Sequence, residues 1–303
     1  MTKQLRFDNQ VVVVTGAGAG LGRAHALEFA RRGANVVVND LGGAVDGSGQ
    51  GVAAADRVVE EIRNQGFEAA ANYDSVVEGE RIVQTALDTY GRIDVVVNNA
   101  GILRDKSFAK MTDADWELVY QVHLQGAFKL CKAAWGVMRE QGYGRLLFTS
   151  SASGLFGYFG QANYAAAKMG LVGLMQTLAI EGAKYNIHSN AIAPVAGSRL
   201  TESILTPEVV AALKPELVSP LVINLCHRDN EENGSIFEVG AGWMAKLRWQ
   251  RNAGLDFDAS AELNAEDIAE CWGTLSGFDG EVNFPTKVDD TYAVVMPKIS
   301  ART

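Results

Sequence analysis

The stretch "VVVVTGAGAGLGRAHALEFA", Val11 to Ala30, joins four valines and a threonine to a glycine-rich turn and then to an apolar pattern of helical period. A β-branched run without polar alternation is a strand covered on both faces. Gly16, Gly18, Gly20 and Gly22 fall between that strand and the helix that follows. Bare backbone at such a junction lets main-chain N–H groups and the positive end of the helix approach a pyrophosphate, which bulky side chains would block. The spacing is G-x-x-x-G-x-G over Gly16, Gly20 and Gly22, and the G-x-G-x-x-G fingerprint of dinucleotide sites is absent. On its own the turn leaves an ordinary structural bend open as an alternative.

Further runs of the same character follow: "NVVVN" (35–39), "DVVVNN" (94–99), "RLLFTS" (145–150), "IHSNAIA" (187–193) and "SIFEVG" (235–240). Helical patterns alternate with them over 21–32, 53–65, 78–90, a longer pair over 112–141, and a segment through Lys168 to about Tyr185, with Thr112 or Asp113 as N-cap of the longer pair. Alternation of this kind predicts an α/β fold, a doubly wound parallel sheet of Rossmann type with a C-terminal extension. The expected division is 1–242 for the catalytic domain and 243–303 for the extension. The proline-bearing segment 194–233 reads as a lid, and "LGGAVDGSGQG" (41–51) as a mobile surface loop.

Composition bounds the function. The chain has 303 residues, is 48% hydrophobic and 21% charged, and carries a net charge of −9, which would repel a phosphate backbone, so nucleic-acid binding is not expected. No apolar run approaches the length of a membrane span, and no membrane association is expected. The start lacks the apolar stretch of a secretory signal, and the final Ala301-Arg302-Thr303 is not a Ser-Lys-Leu address, so the expected location is cytoplasmic, or peroxisomal only as part of a longer eukaryotic chain. Cys131, Cys226 and Cys271 form no C-x-x-C pair, and neither a metal site nor a disulfide is expected.

The second strand runs into Asp40, at the interval where a carboxylate accepts hydrogen bonds from an adenosine ribose and repels a 2′-phosphate. No Lys or Arg stands at Ala19 or Leu41, so NAD is expected over NADP. Asp74, in "NYDS" after a third strand, has two readings, a contact to adenine or an Asx-turn. Tyr164 and Lys168, in "NYAAAK", are four apart and share a helical face. An ammonium beside a phenol favours the phenolate over its ordinary pKa of about 10, so Tyr164 is the candidate general base. Ser151, at the end of a strand, is the candidate donor to the substrate oxygen.

"TGAGAGLG", "NNAG" (98–101), Ser151 and "YAAAK" in this order resemble the short-chain dehydrogenase/reductase family over roughly residues 6–245. The resemblance implies a Rossmann-type NAD-binding fold with Ser151, Tyr164 and Lys168 as the catalytic set. It implies cofactor contacts from Gly16, Gly20, Leu21, Gly22, Asp40, Asp74, Ser75, Val76, Asn99, Tyr164 and Lys168, with Ala196, Gly197, Ser198 and Arg199 near the nicotinamide, and Lys168 also holding its ribose. "GILRDKSFAKMTDADW" and "AIEGAKYNIHSNAIAPVAGSRLTE" are similar to the branch of the family that oxidises (3R)-3-hydroxyacyl-CoA to 3-ketoacyl-CoA in β-oxidation. The alternatives are a 17-beta-hydroxysteroid dehydrogenase and, in another class, a dinucleotide-sensing module without turnover. A homodimer is expected.

Two positions depart from the wider family: His123 where most members have Asn, and Val195 where they have Gly after the proline. His123 is either a substituted helix residue or a proton relay beside the catalytic lysine. Lys246, Arg248 and Arg251 leave three readings open: CoA phosphates, a second subunit, or a solvated face.

Overall fold

The computed structural model describes residues 4–197, 206–258 and 261–300. Strands β1 (Val11–Thr15), β2 (Asn35–Asn39), β3 (Ala69–Asn72), β4 (Val95–Asn98), β5 (Gly144–Thr149), β6 (Ile187–Val195), β7 (Ile236–Gly240) and β8 (Trp243–Leu247) make one sheet in the order β3-β2-β1-β4-β5-β6-β7-β8. The first seven pair in parallel, with Val13 opposite Val37 on one side and Val96 on the other. The valines of β1 are fully buried because the sheet is covered on both faces. β3 is built of alanines, weak strand formers held by their register on β2.

Helices α1 (Gly20–Arg31), α2 (Ala53–Asn64), α3 (Gly79–Tyr90), α4 (Asp113–Tyr120), α5 (Gly126–Gln141) and, after a short α6 (Ala152–Phe156) that the periodicity does not announce, α7 (Ala162–Gly182) fall where the periodicity places them, within a residue or two where it set limits. α4 and α5 are joined by a π-helical turn, Gln121–Gln125, in which the Gly126 N–H reaches back to Gln121 O. Thr112 caps α4 in a capping box with Asp115. The chain winds β1-β2-β3 to one side and then crosses to β4 on the other side of β1. The switch point therefore lies beyond the carboxyl ends of β1 and β4, where open α/β sheets bind ligands.

The proline-bearing segment is not one lid. After α8 (Pro207–Ala212), α9 (Ser219–Cys226) lies in the core, with Val222, Ile223, Leu225 and Cys226 buried and Ser219 Oγ 2.9 Å from His25 Nδ1 on α1. The stretch Glu208–Cys226 is also long and apolar enough to cross a membrane by composition, contrary to the expectation that no run approaches that length. It is broken into α8, a 3-10 turn and α9, and α9 spends its apolar side on the protein interior.

Two compact units divide at Lys246 and Leu247. Trp243 to Lys246, expected in the extension, instead add an edge strand to the sheet through the turn Ala241-Gly242, whose positive φ values of 48° and 83° match the twist of a tight hairpin. The second unit holds β9 (Arg251–Asn252) antiparallel to β10 (Val282–Asn283), with α10 (Ala265–Glu270), α11 (Trp272–Ser276) and α12 (Asp289–Ser300).

Candidate active site

The glycine turn packs against the end of β4. Gly16 has φ +62°, and a Cβ there would meet Ala100 Cα at 2.8 Å, while a Cβ on Gly22 would meet Gly16 O at 2.3 Å. Asn99 fastens this turn, its Nδ2 donating to Thr15 O at 2.8 Å and Gly16 O at 3.3 Å. Thr15, the lone polar residue of a valine strand, accepts at Oγ1 from Asn99 N (3.0 Å) and Ala100 N (3.1 Å). That polar end of an apolar run was the available sign of Thr15, which sequence reasoning passed over.

A cleft of about 250 Å3 opens on this turn, lined by Gly16, Gly20, Leu21, Asp40, Asp74, Ser75, Val76 and Asn99 among others. Asp40 is buried and accepts from Gly18 N and Gly42 N, each at 2.7 Å. Asp74 is turned toward Asn72, whose Nδ2 donates to it at 2.8 Å, and toward Arg81 at 3.6 Å. Ala196 and Gly197 are buried after β6, with Gly197 N donating to Leu213 O at 2.6 Å. Ser198 and Arg199 lie outside the described residues.

α7 carries Tyr164 and Lys168 on one face, beside α6, where Ser151 is the N-cap. The Ser151 hydroxyl accepts from Ser153 N at 3.2 Å and is hydrogen-bonded to the Tyr164 phenol. Lys168 is buried, donates from Nζ to Thr149 O at 2.6 Å, and lies 5.4 Å from the Tyr164 ring centre. Contrary to expectation, Lys168 does not bring the phenol below its ordinary value. Burial dominates and pushes Tyr164 up to about 12, with the Ser151 hydrogen bond opposing it. Burial also lowers Lys168 to about 7, which weakens the cation that was to do the pulling.

His123 sits in the π-helical turn with its ring edge-on to Tyr164, centroids 5.1 Å apart at 87°. Its Nε2 faces both Ile102 N (3.0 Å) and Ile102 O (2.8 Å), so either tautomer satisfies one backbone group of the loop after β4. Burial, and then Lys168, hold its pKa well below the ordinary value, so the ring is neutral. Nδ1 is buried without a protein partner.

The remaining candidates have other partners. Lys246 pairs with Glu232 at 2.8 Å, Arg248 stacks 3.4 Å from the Phe284 ring centre, and Arg251 donates to Asn283 Oδ1 and Asp290 O.

A nicotinamide dinucleotide fits these residues. The turn has no room for side chains at Gly16 and Gly22, Asp40 lines the same cleft, and Lys168 directs one hydrogen bond of its ammonium to a protein carbonyl.

The family model described as short chain dehydrogenase matches residues 10–203. The peroxisomal multifunctional enzyme type 2 of Mus musculus is 57% identical over 97% of this chain and 40% of its own length. A hydroxyacyl-CoA dehydrogenase of Mycobacterium tuberculosis is 38% identical over 78% of this chain and 79% of its own. The solved structure of full-length peroxisomal multifunctional enzyme type 2 from Drosophila melanogaster superposes with a TM-score of 0.84 at 41% identity, covering 98% of this chain and 50% of that one. The chain therefore spans less than half the length of the mouse relative and half that of the solved one. With the family-model match over well more than half of its length and a sheet of this order, the chain belongs to the short-chain dehydrogenase family.

Proposed function

We propose that the chain oxidises (3R)-3-hydroxyacyl-CoA to 3-ketoacyl-CoA with NAD. The observation that carries the chemistry is the Tyr164 phenol hydrogen-bonded to Ser151 and placed near Lys168, with the cleft on the glycine turn in support of a dinucleotide. The acyl-CoA class is supported by the similarity to the mycobacterial hydroxyacyl-CoA dehydrogenase and to the multifunctional enzymes.

Ser151 Oγ holds the substrate oxygen, and Tyr164 Oη takes its proton. Oxidised nicotinamide, when bound, supplies the hydride acceptor and a positive charge. A phenol held at about 12 is protonated at neutral pH, so Tyr164 is ready to donate in the reductive direction and must lose its proton before it acts as base. Lys168 positions a ribose and is held by Thr149. His123 acts as a neutral brace between Tyr164 and Ile102 in preference to a relay, because Nε2 is engaged by the backbone.

Asp40, buried and oriented by two amide donors, supports NAD over NADP through the charge it presents to a 2′-phosphate. Cys131 and Cys226 are buried free thiols, which a reducing compartment preserves, and the cytoplasm is the proposed location. A homodimer is proposed from Trp116, Tyr120 and Phe128, exposed at intervals of four and eight residues along α4 and α5.

The test is NADH formation from (3R)-3-hydroxyacyl-CoA, its (3S) isomer and a 17-beta-hydroxysteroid. Preferred turnover of the (3R) thioester is expected; preference for either alternative overturns the substrate, and dinucleotide binding without turnover of any of them overturns the enzyme.

A further inference from the structure

Leu41–Gly51 between β2 and α2 is closed on itself and on the cleft. Gly51 N donates to Leu41 O at 2.8 Å and Ala44 N to Ser48 O at 2.7 Å, while the Asp46 carboxylate takes the Ser48 amide and hydroxyl at 2.9 and 2.7 Å. These bonds join the ends of a compact Ω-loop, in place of the mobile loop its glycine content suggests. Gly43, Ala44, Val45 and Gly47 line the same cleft as Gly16, Asp40 and Asn99. The Gly47 turn rests on Ile102, close enough that a Cβ there would stand 3.0 Å from its Cδ1.

The loop is fastened by a four-residue strap, Leu103 to Lys106. On one side Leu103 N donates to Val45 O at 3.0 Å and Arg104 Nε to Asp46 O at 2.9 Å. On the other side the strap holds the entry to α7. Lys106 N donates to Gly160 O at 2.9 Å, Gln161 Nε2 to the Asp105 carboxylate at 2.8 Å, and Asn163 Nδ2 to Arg104 O at 3.2 Å. Asn163 Oδ1 in turn accepts the Tyr164 amide at 2.8 Å. Asp115 stands 3.6 Å from the Arg104 guanidinium and so orients it, with Arg104 about a quarter exposed and Asp115 less.

We propose that the Leu41–Gly51 loop is a clasp over the cofactor cleft, and that Arg104 is the positioning residue fastening it to the segment that carries Tyr164. The inference rests on the reading that this cleft takes a dinucleotide. An extended ligand leaves such a cleft only when the cover lifts, and lifting this cover breaks the bonds to Val45 O and Asp46 O. One of the two comes from a guanidinium, and hydrogen bonds from charged donors are the stronger kind. The bond needs the guanidinium fork: a lysine keeps the charge toward Asp115 and lacks the Nε donor.

The experiment measures NADH binding and its dissociation rate by stopped-flow fluorescence in the unmodified chain, Arg104→Ala and Arg104→Lys, with thermal midpoints recorded alongside. Both variants are expected to release NADH about tenfold faster and to raise KM for NAD by a similar factor, with KM for the alcohol substrate little changed. A release rate equal to that of the unmodified chain in Arg104→Ala overturns the clasp, as does full restoration of slow release in Arg104→Lys. Should Arg104→Ala not fold, the lysine variant decides on the same reading. Failure of the unmodified chain to bind NADH overturns the dinucleotide reading itself, a result separate from either variant's.

Discussion

At the scale of single residues, the balance around Tyr164 decides how the site depends on pH. Its phenol, pushed up to about 12 by burial, ionises more with every step of pH below that value. Oxidative kcat is therefore expected to rise with pH from neutrality into the alkaline range, while the reductive direction, which uses the protonated phenol, stays level until the pH nears 12; steady-state rates in both directions check this. Tyr164→Phe removes the proton carrier and leaves the ring, and is expected to lower oxidative kcat by about two to four orders of magnitude. His123→Asn is expected to lower kcat about tenfold through misplacement of Tyr164 and to leave the shape of the pH profile as it is. A profile displaced along the pH axis would show instead that His123 carries the proton.

Among the elements, the π-helical turn between α4 and α5 aims His123 inward. A regular helix has no extra residue there, and π-turns tend to mark functional positions. The turn depends on α4 starting where it does, and Thr112 sets that start through a capping box with Asp115. Thr112→Ala is expected to cost about 1 kcal/mol, or about 2–4 °C in Tm for a domain of this size, measured by thermal unfolding. The glycine turn is less tolerant. Gly22→Ala drives a methyl group into Gly16 O and Asn99 Nδ2, which would stand 2.3 and 2.6 Å from it. A loss of about tenfold in NADH affinity, or about 1.4 kcal/mol, is expected from that overpacking, read by titration of NADH fluorescence.

For the whole molecule, the buried Lys168 links stability to pH. Its value of about 7 in the folded chain lies below the ordinary 10.5, so between these values the unfolded chain binds more protons. Stability therefore rises with pH across that window and is lost as pH falls through it, by at most about 1.4 kcal/mol per pH unit. Above pH 10 the raised Tyr164 acts in the opposite sense, because there the folded chain holds the extra proton. Urea midpoints from pH 7 to 10 are expected to climb more steeply for the unmodified chain than for Lys168→Met. Ligand linkage gives a second whole-molecule readout: NAD at a hundred times its Kd is expected to add about 2.7 kcal/mol, and NADP at equal concentration less, because of Asp40. In solution, light scattering is expected to give a dimer that Trp116→Glu shifts toward monomer.

The strand-turn-helix of Val11 to Ala30 was legible from residue type alone, because continuous β-branched residues build a covered strand, glycines a tight turn and a helical apolar period a packed helix. The shared helix face of Tyr164 and Lys168 was legible too, from their spacing of four, while their reading with Ser151 as a set came from the family resemblance. What the linear order could not carry was the balance of burial against charge, since desolvation depends on everything packed around a group, and it reversed the expected direction for Tyr164. The same holds for contacts distant in sequence. Thr15 reaching Asn99, α9 entering the core, β8 joining the sheet, and Arg104 holding Asp46 are decided by which backbone groups the packed chain brings within hydrogen-bonding range. Local pattern determined the elements and the residue types of the site; tertiary structure decided their protonation, their bracing and what lines the cleft, because those are properties of neighbours and not of positions.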